Sequence, residues 1–198
     1  GTKQHGHMVN VGFDTYCQLL EETVQELQGQ AVQKTEPTIV DINVTAFIPD
    51  EWVGSAEQKM IEYKRLADVK SDVELDYITE EWKDRFAKPP ESVENLIKLI
   101  RIRLSATDVR ISLIRETEDN IRIYTPYSQP EWKMIQRTLP SEILKRIKFT
   151  IAPKACTDGI SILLLNNKYM NFDEVFNILT DLFYYIRKVG DEFAYPEK

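Results

Sequence analysis

The stretch "DVRISLIRETEDNIRIYTP", residues 108–126, decides the fold class. Apolar and polar residues alternate on both sides of "TED", and this pattern predicts two antiparallel strands joined by a turn. A second pair of apolar runs, "KFTIAP" (148–153) and "GISILLL" (159–165), predicts a second hairpin. An earlier strand is predicted in "TIVDINVTAF" (38–47), which ends before Pro49.

The rest of the chain has helical periodicity. Predicted helices cover residues 12–29, 55–70, 72–86, 90–106, 130–139, 141–147 and 171–190. Because helices and hairpins occur in separate runs, the predicted fold class is α+β. The sheet is expected to be antiparallel, built from two hairpins plus the early strand, and packed with several helices.

The helix predicted at 72–86 has two unlike sides. Its apolar residues Leu75, Ile78, Trp82 and Phe86 fall on one stripe. At 100° per residue, Glu80 and Asp84 point almost opposite to that stripe, and Glu81 lies on its flank. Such an acidic row is most often a solvated face, so composition alone does not make it a binding site.

The net charge of −7 conceals a division along the chain. Residues 36–97 hold 15 acidic and 7 basic side chains, whereas residues 98–154 hold 6 acidic and 12 basic ones. The overall charge disfavours binding of a phosphate backbone by the whole chain. The basic segment, and Arg101, Arg103 and Arg110 within it, could contact nucleic acid, or its cations could pair with local carboxylates. Aromatic residues do not alternate with these arginines as they do in stacking platforms.

No set of residues suggests catalysis, a metal site or a bound cofactor. His5 and His7 are the only histidines, and Cys17 and Cys156 have no metal-binding spacing. Neither phosphate-binding glycine motif occurs. No apolar run approaches the ~18 residues of a membrane span. We therefore expect a non-enzymatic cytoplasmic protein with two inert cysteines.

Three stretches together resemble one family. They are "GTKQHGHMVNVGFDTYCQLLEETVQEL" (1–27), "FIPDEWV" with "KMIEYKRLA" (47–67), and "DRFAKPPESVENLIKLIRIRL" (84–104). In order and spacing they are similar to the C-terminal (TRCF) domain of the bacterial transcription-repair coupling factor, Mfd. The resemblance covers residues 1 to about 125, with Ala87 and Pro89 departing from the family pattern.

The resemblance implies a division of the chain and of labour within a longer parent protein. Residues 1–35 resemble the tail of a translocation motif, with Gln4 as its glutamine, followed by a helix and linker, and residues 36–198 resemble the regulatory domain. The parent is implied to be an ATP-dependent DNA translocase that displaces stalled RNA polymerase. Its ATP and Mg²⁺ sites would lie in upstream motor domains, so this chain would carry neither.

The resemblance also implies a docking site. In the family, the acidic residues at and just before "DRF" face basic residues of the parent's UvrB-like N-terminal module and mask its UvrA-binding surface. Glu81 and Asp84 hold those positions here, with Glu80 beside them. The expected partners are thus this module directly, and UvrA, RNA polymerase and DNA indirectly. The alternative is an accessory nucleic-acid-binding domain that uses residues 98–122.

Overall fold

The computed structural model describes residues 36–152 and 160–194, with side chains to residue 191. This part of the chain is α+β, as predicted. Its helices are α1 (Asp50–Val53), α2 (Ala56–Ala67), α3 (Asp72–Arg85), α4 (Glu91–Asp108), α5 (Gln129–Thr138), α6 (Ser141–Leu144) and α7 (Phe172–Ala194). Its strands are β1 (Ile39–Asp41), β2 (Leu113–Glu116), β3 (Ile121–Thr125), β4 (Ile147–Ile151) and β5 (Ser161–Leu165). The helix predicted at 12–29 lies outside the described residues, as do Gln4, both histidines and both cysteines.

The five strands form one sheet in the order β1-β2-β3-β5-β4. Both predicted hairpins are present, β2 with β3 and β4 with β5, and antiparallel pairing of β3 with β5 joins them. The prediction of a wholly antiparallel sheet is wrong at one edge, because β1 pairs with β2 in parallel. Parallel neighbours need a long crossover connection, and residues 42–112 provide it.

The early strand is also shorter than predicted, since it ends at Asp41 rather than near residue 47. Ala46 and Ile48 are buried although they belong to no strand. The backbone there is held by other partners: Phe47 N donates to Ser92 O at 3.1 Å, and Asn95 Nδ2 donates to Thr45 O at 3.1 Å. Burial alone produced the strand-like alternation in this segment.

The described residues divide into two compact units, one of residues 43–101 and one of residues 36–42 and 102–194. The first is helical, and its fully buried side chains include Leu66, Leu75 and Trp82. The second contains the whole sheet. One row across its strands, Ile114, Ile123 and Leu163, is completely buried and lies in the core of this unit.

The start of α3 is fixed by its capping residues. The Ser71 hydroxyl accepts from Glu74 N at 3.2 Å, which is one half of a capping box. The Glu74 carboxylate, however, accepts from Lys70 N at 2.9 Å instead of from Ser71 N. The first contact satisfies an amide group that the first turn of a helix leaves without a partner, and the second holds the residue before the N-cap; together they define where α3 begins.

Candidate interaction surface on helix α3

The apolar stripe of α3 faces the interior of the first unit, as the sequence predicts. Leu75 and Trp82 are fully buried, and Ile78 is almost so. Phe86 is half-buried and contacts Trp52, whose ring centroid lies 5.0 Å away, and Trp52 also meets Trp82 edge-on at 5.2 Å. This aromatic cluster fixes the rotation of α3, so the opposite side must face solvent.

Four exposed side chains share that opposite side: Val73, Tyr77, Glu80 and Asp84, which we call the α3 face. At 100° per residue they fall within a sector of about 60°. Val73 is 78% exposed and Tyr77 is 72% exposed, which are high values for apolar side chains. The α3 face therefore combines two apolar groups with two carboxylates. Val73 and Tyr77 were not predicted to belong to a binding surface, although the sequence places them four residues apart and opposite the buried stripe.

Glu81 lies beside the α3 face and already has two cationic partners. Arg65 Nη2, from α2, donates to Glu81 Oε2, and Arg85 Nη1 donates to Glu81 Oε1 at 3.0 Å. The hydrogen bond from Arg65, supported by the one from Arg85, lowers the pKa of the Glu81 carboxyl below its usual value. Glu81 thus remains charged and is held in one orientation.

The same two arginines also bind Glu62, which is fully buried. Its carboxylate accepts from Arg65 Nη1 and Arg85 Nη1, each at 3.1 Å, and from the indole Nε1 of Trp82 at 2.8 Å. Gln58 Nε2 adds a further hydrogen bond at 3.0 Å. We call Glu62, Arg65, Glu81 and Arg85 the α2–α3 network; its two positive and two negative charges cancel.

Glu80 and Asp84 differ in how their charge is compensated. Lys83 Nζ donates to Glu80 Oε1 at 2.6 Å, and this hydrogen bond raises the pKa of the lysine. Both side chains are well exposed, at 63% for Lys83 and 69% for Glu80, so water competes with the pair and weakens it. Asp84 is exposed, and within residues 36–152 and 160–194 its side chain makes no hydrogen bond or ion pair.

Two of the three carboxylates predicted to bind a partner therefore already have cationic partners within the chain. Glu81 belongs to the α2–α3 network, Glu80 pairs locally, and Asp84 alone carries uncompensated charge. Helical periodicity reports where residues lie around one helix. It does not show that Arg65 of another helix reaches Glu81. Whether these three residues contact a partner stays a prediction.

The predicted nucleic-acid contacts are not brought together as a set of unpaired cations. Arg101, in the first unit, donates to Asp72 at 3.0 Å and to Asp76 at 2.5 Å, and so links α4 to α3. In the second unit, the Arg110 guanidinium lies 5.8 Å from the centroid of the Tyr127 ring. Arg103 is half-buried and has an interaction of its own.

Metal-binding clusters and membrane-spanning helices are both absent from the described part of the chain. Within it, no group of three or more His, Cys, Asp or Glu side chains could hold a metal ion. Among its helices, none combines the length and the apolar character needed to cross a membrane.

Comparisons with known proteins agree with the resemblance seen in the sequence. The family model of the TRCF domain matches residues 42–134. The transcription-repair-coupling factor of Bacillus subtilis is 34% identical over 125 residues, which is 62% of this chain and 10% of that protein. The one from Buchnera aphidicola is 28% identical over 196 residues, 92% of this chain and 23% of that protein. This second match extends past residue 125, where the sequence resemblance ended.

A solved structure shows the same fold. The crystal structure of the C-terminal domain of a transcription-repair coupling factor superposes with a TM-score of 0.62 at 17% identity. The superposition covers 81% of this chain and 99% of that one. By contrast, the chain spans only about a tenth of the length of the first full coupling factors it matches.

Proposed function

Because residues 42–134 are a TRCF domain and the chain is related to the transcription-repair coupling factors, we propose that it acts as a regulatory domain of such a factor. It works by binding and not by catalysis. The α3 face docks on the UvrB-like N-terminal module of the parent protein and masks the surface that UvrA binds. The parent's translocation along DNA and its displacement of RNA polymerase depend on motor domains outside this chain.

The observation that carries the proposal is the composition of the α3 face. Val73 and Tyr77 expose apolar surface next to Glu80 and Asp84, with no helix or strand of the first unit covering them. Tyrosine is among the residues that contribute most to protein interfaces, because it adds contact area at a small cost in conformational entropy. A basic partner with a small apolar patch matches this surface.

The three acidic residues make unequal contributions to docking. Asp84 contributes most, because its charge is not compensated inside the chain. Glu80 exchanges the exposed Lys83 for a cation of the partner at little cost. Glu81 retains lone pairs that can accept one further hydrogen bond, but it mainly keeps Arg65 and Arg85 in place.

Tethering allows such a small surface to work. Two modules of one polypeptide meet at an effective concentration on the order of 1 mM. An intrinsic dissociation constant of about 10 μM would then keep about 99% of the molecules docked. The same weak contact opens easily when the parent engages DNA and polymerase, which suits a reversible mask.

The test is binding of this chain to the separate N-terminal module, measured by calorimetry for the wild type and for Asp84→Lys. We expect the substitution to weaken binding about tenfold at low salt, and less at high salt because of screening. Glu118→Lys is the matched control: Glu118 is exposed in the turn after β2, so the same change of charge should leave binding unaltered. Equal affinities for Asp84→Lys and the wild type would rule out the α3 face as the docking site.

A further inference from the structure

One face of the sheet carries a row of apolar side chains that point away from the core of the second unit. Ile39, Leu113, Tyr124 and Ile162 are aligned directly across β1, β2, β3 and β5. Ile39 is 55% exposed, and the other three are half-buried. They alternate along their strands with the fully buried row of Ile114, Ile123 and Leu163, so they belong to the outer face.

A second row on the same face, two residues further along each strand, is basic. Arg115, Arg122 and Lys148 occupy it on β2, β3 and β4, with Asp41 at one end and Leu164 of β5 between Arg122 and Lys148. Arg115 Nε donates to Asp41 at 3.3 Å. The side chains of Arg122 and Lys148 are exposed and make no hydrogen bond or ion pair with other residues of the described ranges.

The pairing of Arg115 with Arg122 is unfavourable for the fold alone. The two residues are direct partners in the antiparallel register of β2 and β3. Like charges directly opposite each other on neighbouring strands destabilise a sheet, whereas a carboxylate at position 122 would pair with Arg115. Stability of the fold alone does not favour an arginine at position 122. An anionic partner would offset the repulsion between Arg115 and Arg122.

We propose that this outer face binds an amphipathic segment of a protein partner, with apolar side chains over the first row and carboxylates over the second. Neighbouring strands are about 4.8 Å apart, and one helical turn rises about 5.4 Å. Side chains one turn apart on a helix lying across the strands would therefore meet successive strands. The two rows are about 7 Å apart, which lets acidic residues beside the apolar stripe reach the basic row.

A nucleic acid fits the same face less well. Binding platforms for single strands stack bases on several aromatic side chains, and here only Tyr124 is aromatic. The remaining apolar row is aliphatic. The face lies in the second unit and has the opposite charge to the α3 face, so this binding is separate from the docking proposed above.

The probe is a synthetic 16-residue helical peptide with leucines at i, i+3, i+4 and i+7 spacing and glutamates beside them. It is titrated into the ¹⁵N-labelled chain and followed by NMR. We expect shifts at amides of β2, β3 and β5, and affinity about tenfold weaker in Arg122→Glu/Lys148→Glu at low salt. The matched control, Lys133→Glu/Arg137→Glu, reverses two exposed cations of α5 and should bind like the wild type.

Loss of folding cannot explain the expected result, because Arg122→Glu should raise the Tm by pairing with Arg115 while it weakens peptide binding. Equal binding of a peptide with the same composition but scrambled leucines would overturn the proposal, because recognition would then rest on charge alone. Shifts absent from the sheet would overturn it too. Tighter binding of a 12-nucleotide single-stranded DNA at the same residues would replace the acidic segment with a nucleic acid. Asp84→Lys should leave peptide binding unchanged. The proposal for the outer sheet face and the proposal that the α3 face docks on the N-terminal module can therefore fail independently of each other.

Discussion

The α3 region of the first unit and the outer sheet face of the second use their surplus charges in opposite ways. Around α3 most charged side chains form ion pairs within the first unit. The α2–α3 network is neutral, Glu80 pairs with Lys83, and Arg101 pairs with Asp72 and Asp76. Only Asp84 of the acidic row is left over. On the sheet, Arg115 pairs with Asp41, whereas the side chains of Arg122, directly opposite Arg115, and of Lys148 in the same row have no partner among the described residues.

This contrast shows that the net charge of a segment does not locate its binding surface. The net charges of residues 36–97 and 98–154 have opposite signs. In the acidic segment, however, two of the three carboxylates in the acidic row of α3 are paired with cations of the same segment. A charge satisfied inside the fold holds helices together, whereas an uncompensated one is available to a partner. Each of the following experiments separates these two uses of charge.

The largest expected effect comes from removing the buried member of the α2–α3 network. Glu62→Gln leaves Arg65 and Arg85 with one carboxylate between them in place of two. Because both guanidinium groups are partly exposed and keep Glu81 as a partner, the expected cost is that of lost hydrogen bonds to charged groups, about 1.5–3 kcal/mol. Urea unfolding should show a loss within this range. The control Glu57→Gln changes an exposed residue of the same helix and should alter the free energy of unfolding by less than about 0.5 kcal/mol. A loss below about 1 kcal/mol for Glu62→Gln would mean that the network does not hold α2 to α3.

The next effect concerns the apolar part of the α3 face. Tyr77→Ala removes an exposed aromatic side chain, so it should leave the free energy of unfolding almost unchanged. It should weaken binding to the N-terminal module by about 1–2 kcal/mol, the cost of truncating an interface tyrosine. Calorimetry of that binding reaction measures it, with Tyr169→Ala, another highly exposed tyrosine, as the matched control. Equal losses in both variants would show that the effect is not specific to the α3 face.

A smaller effect, of opposite sign, is expected on the sheet. Arg122→Glu replaces a like-charge cross-strand pair with an opposite-charge pair and should increase the free energy of unfolding by about 0.5 kcal/mol. Thermal unfolding at low salt detects this as a higher Tm, and high salt should reduce the gain. Arg122→Gln, which only removes the repulsion, should fall between the two. A decrease in Tm for Arg122→Glu would show that Arg122 stabilises the fold.

The smallest effect is a pH dependence at Glu81. Its pKa in the folded chain is lowered, so its contribution to stability is complete above the ordinary Glu pKa of ~4.3 and is lost as the pH falls through the lower folded value. Wild type should therefore exceed Glu81→Gln in stability at neutral pH, and the difference should shrink below about pH 4. Unfolding of both proteins across this pH range measures it. A difference independent of pH would mean that Glu81 acts through packing and not through charge.

Local periodicity explains how much could be predicted from the sequence. Both hairpins and the buried stripe of Leu75, Ile78 and Trp82 follow from patterns within one segment. The resemblance to the TRCF domain agrees with the family model, which matches residues 42–134. The parallel pairing of β1 with β2 depends on residues more than 70 positions apart. The α2–α3 network likewise joins positions of two helices, so no pattern within one helix could reveal that Glu81 is paired.

The opposition of Arg115 and Arg122 lay between these cases. It follows from the register of a hairpin whose two strands were predicted, but the register depends on the turn at 117–120, where Thr117 N donates to Asn120 O at 2.8 Å. Shifting the register by one residue would turn either arginine toward the core. The alignment of these residues into one site on the sheet therefore could not be predicted from the sequence, although all of them lie in predicted strands.

The proposed masking of a parent surface by the α3 face can be measured in the full-length coupling factor. UvrA affinity is measured for the wild type and for Asp84→Lys, with Glu118→Lys as the control. If docking depends on Asp84, the variant opens the parent, and its UvrA affinity rises about tenfold while the control matches the wild type. An Asp84→Lys parent that binds UvrA no more tightly than the wild type would show that the α3 face does not mask the UvrA-binding surface.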